Sequence, residues 1–252
     1  MHVISRKALL QFGRLHRDAV MPLDDWYRIT KKALWKNHHD VKAQFGTVSI
    51  VRDCAVFNIA GNKYRLIVWI KYAAALVLVR GIMTHREYDK STLGLSAAAI
   101  GGRQGHDGSS SLEPFMTAID FSMPRVLRNE REYEAALAEV ERLLRLNSKR
   151  GSLEFDRLEL LTLLIEAYED ERYPMGGTST PQSVVEFMLD QKGMTRADLT
   201  PILGSRGRVS EFFTGKRRLS ITQMLALRDV LGLSLDLLVE PEPASGRRRR
   251  RA

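Results

Sequence analysis

The sequence predicts a multi-domain protein: an N-terminal α/β domain, an all-α helical segment after it, and a five-helix domain towards the C-terminal end. Three observations carry this. Between Tyr64 and His85 two runs alternate with period two, as strands do. From Asn129 to Tyr173 two longer stretches repeat their apolar residues at helical spacing. From Pro181 onward short apolar segments are separated by glycines or by Ser/Thr caps, which reads as a set of short helices. The expected boundaries are 1–93 for the α/β domain, 94–115 for a linker, 116–176 for the helical segment, 177–240 for the last domain and 241–252 for a basic tail.

Composition narrows the class. The 252 residues are 44% hydrophobic, ordinary for a soluble globular protein. A single cysteine, Cys54, excludes an intramolecular disulfide framework and fits a reducing cytoplasm; in its strand it reads as a small apolar residue. No signal-peptide core opens the sequence, and the longest apolar run, 66–79, is too short for a bilayer and contains Lys71, so no membrane role is expected. Charge is unevenly divided: residues 1–93 carry 16 Lys and Arg against 7 Asp and Glu, whereas residues 116–180 carry 9 against 13. A basic domain followed by an acidic one suits a nucleic-acid-binding unit tethered to something that covers it.

Taken in order, HVIS is a short strand, and Ser5 is expected to cap a helix with Ala8, Leu9, Phe12 and Leu15 on its apolar side. Pro22 stands in the first turn of a second helix, with Leu23, Trp26, Tyr27, Thr30, Ala33 and Leu34 along one side. Its other face presents Arg28, Lys31 and Lys32, with Lys36 beyond, as candidate RNA phosphate contacts or simply a solvated basic face. His38 and His39 lack spaced metal-ligating partners and read as surface residues. Gly61-Asn62 suits a hairpin turn, giving three antiparallel strands: one ending near Ile59, one from Tyr64, one from Leu76. Lys63, Arg65 and Arg80 then share a sheet with His85, Glu87, Tyr88 and Asp89 at its end. Guanidinium and ammonium groups hold a scissile phosphate while an imidazole or phenol moves the proton, so the constellation fits phosphate chemistry.

The segments MHVISRKAL, WYRITKKALWKNHHDVKAQF, VFNIAGNKYRL and THREYD resemble, in this order and spacing, the HigB toxins, which are RelE-like messenger-RNA interferases of bacterial toxin-antitoxin systems. The resemblance covers Met1 to about Leu93. It implies a small α/β ribonuclease that cuts messenger RNA, usually on the ribosome, with no metal and no other cofactor. Its FNIxGNxYRL and THxEYD patterns fall on Phe57–Leu66 and Thr84–Asp89, which makes Lys63, Arg65, His85 and Tyr88 the catalytic candidates. Lys31, Lys32, Lys36, Asn62 and Arg80 are the RNA-binding candidates. The sequence departs from the pattern at Gly81-Ile82-Met83, where a bulkier strand is expected.

Residues 94–115 are rich in Gly, Ser and Ala and have no sustained period; Met116 begins a stretch that resembles a fresh protein start. Asn129 with Glu132 forms a capping-box-like helix start, followed by a stripe of Tyr133, Ala136, Leu137, Val140, Leu143 and Leu144. A second helix carries Phe155, Leu158, Leu161, Ile165 and Tyr168 to just before Pro174. The pair could close on itself as a hairpin or cover the basic domain; a mixture of the two is expected.

In the last domain, GSRGRVSEFFTGKRRLS resembles the helix-turn-helix of the Xre/Cro family, and closely that of the HigA antitoxins that partner HigB. This implies a recognition helix from about Ser205 to Thr214. Ser205, Arg206, Arg208 and Ser210 are then candidate base or phosphate contacts, Lys216 and Arg217 grip phosphate, and Phe212 and Phe213 fall towards the core, with Val209 left open between the two. Ala197 stands where many Xre domains have a polar residue. The tail ends in five arginines, Arg247–Arg251, and reads as a nonspecific polyanion-binding segment.

Together these readings describe a fused toxin and antitoxin: a nuclease restrained by its own antitoxin region, which also binds operator DNA as a homodimer. The restraint acts in cis or in trans. A linker of about 22 residues spans roughly 25 Å and gives an effective concentration on the order of mM. Two other readings stand beside it, a DNA-binding repressor whose toxin domain is silent and a basic nucleic-acid-binding module without chemistry.

Overall fold

The computed structural model describes residues 1–51, 54–94 and 126–239. The expected linker, the restart at Met116 and the arginine tail lie outside the described residues. The N-terminal part contains β1 (His2–Ile4), α1 (Lys7–Leu15), α2 (Val20–Lys32), α3 (His38–Gln44), β2 (Ser49–Val51), β3 (Cys54–Ile59), β4 (Tyr64–Lys71), β5 (Leu76–Thr84) and α4 (His85–Gly94). The rest is helical: α5 (Glu130–Leu146), α6 (Leu153–Arg172), α7 (Pro181–Lys192), α8 (Thr200–Leu203), α9 (Arg206–Phe213) and α10 (Ile221–Leu231), closed by a 3₁₀ turn at Leu235–Leu237.

The five strands form one sheet in the order β1-β5-β4-β3-β2. The three expected antiparallel strands pair as read, with Phe57 opposite Leu66 and Tyr64 opposite Thr84. The sheet is nevertheless mixed and not wholly antiparallel, because β1 runs parallel to β5, His2 beside Leu76. That crossover is carried by the whole of the intervening domain, which a local pattern does not announce. Between Ile67 and Val68 the register of β4 and β5 shifts, leaving Arg80 as the extra residue next to Gly81. The departure from the expected strand at residues 81–83 therefore adjoins a bulge.

Side-chain alternation divides the sheet into two buried faces. On one, Val3, Phe57, Leu66, Val68, Val77 and Val79 pack against Leu9, Leu23, Trp26, Ile29 and Val41 of α1–α3. The same core continues without interruption into Val184, Met188, Leu203, Phe212, Leu227 and Leu237. On the other face, Ile4, Leu76 and Leu78 are covered by Tyr133, Leu137, Val140, Phe155, Leu158 and Ile165 of α5 and α6. The hairpin is thus both self-packed and laid on the sheet, the mixture that the sequence led us to expect.

Caps explain most helix ends. The Asn129 side chain accepts from the Glu132 N–H, Ser152 from Phe155, and Thr180 with Ser183 forms a capping box ahead of Pro181. Ser5 does not cap α1. It sits at φ 69° and is buried, and Arg6 occupies the cap position without a side-chain cap bond. The Arg6 N–H is satisfied from far along the chain, by Glu169 Oε1 at 2.9 Å, so a carboxylate at the positive helix end replaces the local cap.

Candidate functional site

Two surfaces carry the candidate residues: the end of the sheet where β5 passes into α4, and the outer side of α9.

At the sheet end, THREYD passes from the last residue of β5 straight into a helix. Thr84 Oγ1 accepts from the Glu87 N–H, while the Thr84 N–H donates to Glu87 Oε2 at 2.8 Å, a capping box that starts α4 directly after β5. The Thr84 hydroxyl and N–H hold the Glu87 carboxyl below its usual range. Helical spacing then brings His85 and Asp89 together, Nδ1 to Oδ2 at 2.7 Å, and the His85 N–H donates to the Lys63 carbonyl at 2.9 Å. Arg65 lies opposite Met83 in register, two residues before His85. Its guanidinium turns back onto the Asn62 carbonyl at 3.2 Å, in a turn where Ala60, Gly61 and Asn62 all have positive φ. Burial lowers the Arg65 pKa against the opposing charges of Asp89 and Tyr88. Arg65, His85, Tyr88 and Asp89 therefore occupy one neighbourhood, where a fixed cation adjoins an imidazole oriented by a carboxylate. The imidazole keeps 42% of its surface exposed.

Lys63, the fourth catalytic candidate, points elsewhere. Its ammonium bonds Asp18 Oδ2 at 2.8 Å, and the other Asp18 oxygen accepts from the Tyr64 hydroxyl at 2.9 Å. Hydrogen bonds from Lys63 and Tyr64 hold the Asp18 carboxyl below its ordinary value. His16, stacked on Phe12 with centroids 4.2 Å apart, completes this cluster on the far side of the turn.

The RNA-contact candidates divide in the same way. Lys36 and Asn62 are exposed. Lys31 Nζ lies 3.3 Å from Glu166 and 3.7 Å from Asp170, and Lys32 Nζ 2.7 Å from Asp236. Arg80 pairs with Glu141 of α5 and stands over the Trp69 ring. Basic residues of the α/β part thus meet acidic residues of the helical part within a single chain. Arg6, not singled out in the sequence, is the centre of that meeting: 1% exposed, it donates from Nε to Glu169, from Nη1 to Tyr27 and Asp170, and from Nη2 to the Glu166 carbonyl. Burial works against the charged guanidinium, but Glu169, Tyr27 and Asp170 outweigh it and raise its pKa. Tyr133 adds a hydroxyl to Glu169 at 2.6 Å.

Helix α9 follows a glycine turn at Gly204, φ 99°, and is capped by Ser205, whose Oγ accepts from the Arg208 N–H. Val209 and Phe212 are buried and Phe213 is partly so, whereas Ser205, Arg206, Arg208, Ser210, Lys216 and Arg217 are all exposed. Arg217 lies 3.8 Å from Glu211. Ala197 falls inside a 3₁₀ turn that Thr195 and Asp198 cap reciprocally.

Among the described residues no three His, Cys, Asp or Glu side chains are grouped to hold a metal ion, and His38 and His39 are exposed at the start of α3. Among them, too, no helix is long and apolar enough to cross a membrane.

Comparison with known proteins places both parts of the chain beside toxin-antitoxin proteins. Residues 19–91 match the HigB toxin family, the RelE-like toxic component of a toxin-antitoxin system. A protein named mRNA interferase toxin HigB, from Escherichia coli K12, is 27% identical over 92 residues, covering 35% of this chain and 88% of its own. Antitoxin HigA of the same strain is 29% identical over 138 residues, covering 52% of this chain and 90% of its own. The chain is thus HigB-like and HigA-like at once, and is related to both components of a toxin-antitoxin system.

Proposed function

We propose that this chain fuses a metal-independent messenger-RNA endoribonuclease, residues 1–93, to its own antitoxin, and that residues 177–240 are an Xre/Cro-type domain which binds operator DNA and represses transcription of its own gene. The convergence of Arg65, His85, Tyr88 and Asp89 at the start of α4 carries the nuclease reading. Arg65 holds the scissile phosphate and its developing charge. Asp89, bonded to Nδ1, fixes the imidazole so that Nε2 faces the reaction, and His85 and Tyr88 share proton transfer as the neighbouring 2′-hydroxyl attacks phosphorus and the 5′-oxygen leaves. Lys63 reaches the phosphate by exchanging its exposed partner Asp18. Lys36 and Asn62 contact the RNA backbone, and the substrate is met on the ribosome. Lys31, Lys32 and Arg80 join them once the acidic helices lift away.

On the second surface, Ser205, Arg206, Arg208 and Ser210 meet base edges or phosphate at the N-terminal end of α9, and Lys216 and Arg217 grip the backbone. A homodimer places two such helices on a palindromic site.

The test is messenger-RNA integrity and growth on induction of residues 1–93, the full chain, and each with His85→Ala or Arg65→Ala. Toxicity of the short form that either substitution abolishes supports the reading; toxicity unchanged by both overturns the assignment. If neither form cleaves RNA, the chain is a DNA-binding repressor with a silent toxin domain. The neutralised α2 cations favour that second reading.

A further inference from the structure

A cavity of about 310 Å³ opens where α2, the end of α6, the chain at Pro174–Gly176 and the turn at Asp236–Leu237 meet. Its volume is within the range of small-ligand sites. Four cations line it, Arg6, Arg28, Lys31 and Lys32, against two carboxylates, Asp170 and Asp236.

The hydrogen bonds around it are unbalanced towards donors. Tyr27, only 4% exposed, accepts at its hydroxyl from Arg6 at 2.9 Å and from Lys31 at 3.3 Å, so its own O–H proton remains to be given and finds no acceptor among the described residues. Arg28 uses one guanidinium N–H, donated from Nη1 to the Ser179 carbonyl at 3.0 Å, and its remaining N–H groups make no hydrogen bond among the described residues. Gly176, at φ 91°, lies against the Arg28 stem, where an added Cβ would come within 3.2 Å of Cγ, so no side chain fills the space. The replaceable partner is Asp236, 48% exposed and 2.7 Å from Lys32; Asp170 also accepts from Arg6, and Lys31 lies nearer to Glu166, at 3.3 Å, than to Asp170.

We infer that this cavity is a binding site for a small phosphorylated ligand, of the size of pyrophosphate or a nucleotide, held by Arg28, Lys31, Lys32 and the Tyr27 hydroxyl. A phosphate group supplies several acceptor oxygens to the free donors of Arg28 and Tyr27, and it replaces Asp236 on Lys32. Because Asp236 belongs to the helical part and Lys32 to the α/β part, occupancy loosens one of the ion pairs between them. The site shares Lys31 and Lys32 with the RNA contacts proposed above, but ligand binding is read without RNA cleavage, so its failure and that of the nuclease reading are distinguishable.

Titration calorimetry of the full chain with inorganic pyrophosphate and with ADP tests it, with a short single-stranded RNA as a third arm. Binding of one equivalent is expected. Tyr27→Phe should weaken it about tenfold and Arg28→Gln by more, since each removes donors to a charged group. Asp236→Asn should tighten it, an outcome that damage to the fold does not imitate. Absence of binding by pyrophosphate and ADP, or binding unmoved by both Arg28→Gln and Asp236→Asn, overturns the inference. Binding of the RNA alone overturns it as well and assigns the cations to an RNA backbone.

Discussion

The helical part grips the α/β part in two places, and the two grips are built from opposite materials. On the β1–β5 side, α5 and α6 add a sealed charge network to their apolar stripe, centred on Arg6 and Glu169, both at 1% exposure or less. On the α2 side, α7 contributes Val184, Val185, Phe187 and Met188 to a core shared with Trp26, Phe45 and Phe57. Gln191 there bridges backbone and side chain, donating to the Asn58 carbonyl at 2.9 Å and accepting from Thr47. The lesson concerns specificity. An apolar face tolerates any partner of similar shape, whereas a buried guanidinium demands its carboxylate, because the desolvation cost is met only with every donor placed.

That difference can be broken from either side. The largest effect is expected from Glu169→Leu, which strands Arg6 in the core and should cost about 3–5 kcal/mol, read by denaturant unfolding. A loss under about 1 kcal/mol would show that the network is incidental. Met188→Ala, on the apolar grip, should cost about 2–4 kcal/mol by cavity formation and should vary little with salt.

A pH test separates the grips further. Asp24 and Asp25 of α2 accept from the loop that leads into α7, Asp24 from the Gly176 and Thr178 N–H groups and Asp25 from the Ser179 and Ser183 hydroxyls. Burial pushes the Asp25 carboxyl from 3.8 up to about 6, against those hydroxyls. The folded state then binds the proton more tightly than the unfolded one. Stability should therefore fall as pH rises from about 4 to about 6, and Asp25→Asn should flatten that slope in thermal unfolding.

Smaller still, Asn129→Ala removes the cap of α5 and should cost about 1 kcal/mol. At the exposed rim of the α2 side, Lys32→Ala loses its pair with Asp236 and should cost under about 1 kcal/mol, vanishing at high salt. A larger or salt-independent loss would show that the rim is part of the lock.

The candidate catalytic site was half legible. Period two located Arg65, and the local order of THREYD located His85 and Tyr88. Asp89 was in view but without a partner, since the 2.7 Å contact with His85 needs a helix where a strand end was expected. The signal was present: Thr84 and Glu87 have capping-box spacing, and that reading starts a helix at His85. Lys63 was placed with Arg65 by the FNIxGNxYRL resemblance; it sits in the turn, outside β4, and bonds Asp18. Strand β2, helix α3 and the parallel pairing of β1 escaped notice, being short or set by partners more than 70 residues away.

What the sequence determined alone is whatever lies within one turn or one strand of itself: the apolar stripes of α5 and α6, the Asn129 cap, the alternation of β4, and the exposed cations around α9 against buried Phe212. Those depend on rotation per residue, a property of the backbone. What only the tertiary structure decided is who neutralises whom. Arg6 and Glu169 lie 163 residues apart, and neither carries a local mark of the other. Charge is long-ranged and carries no period, so its partners are fixed by the packing that brings them together.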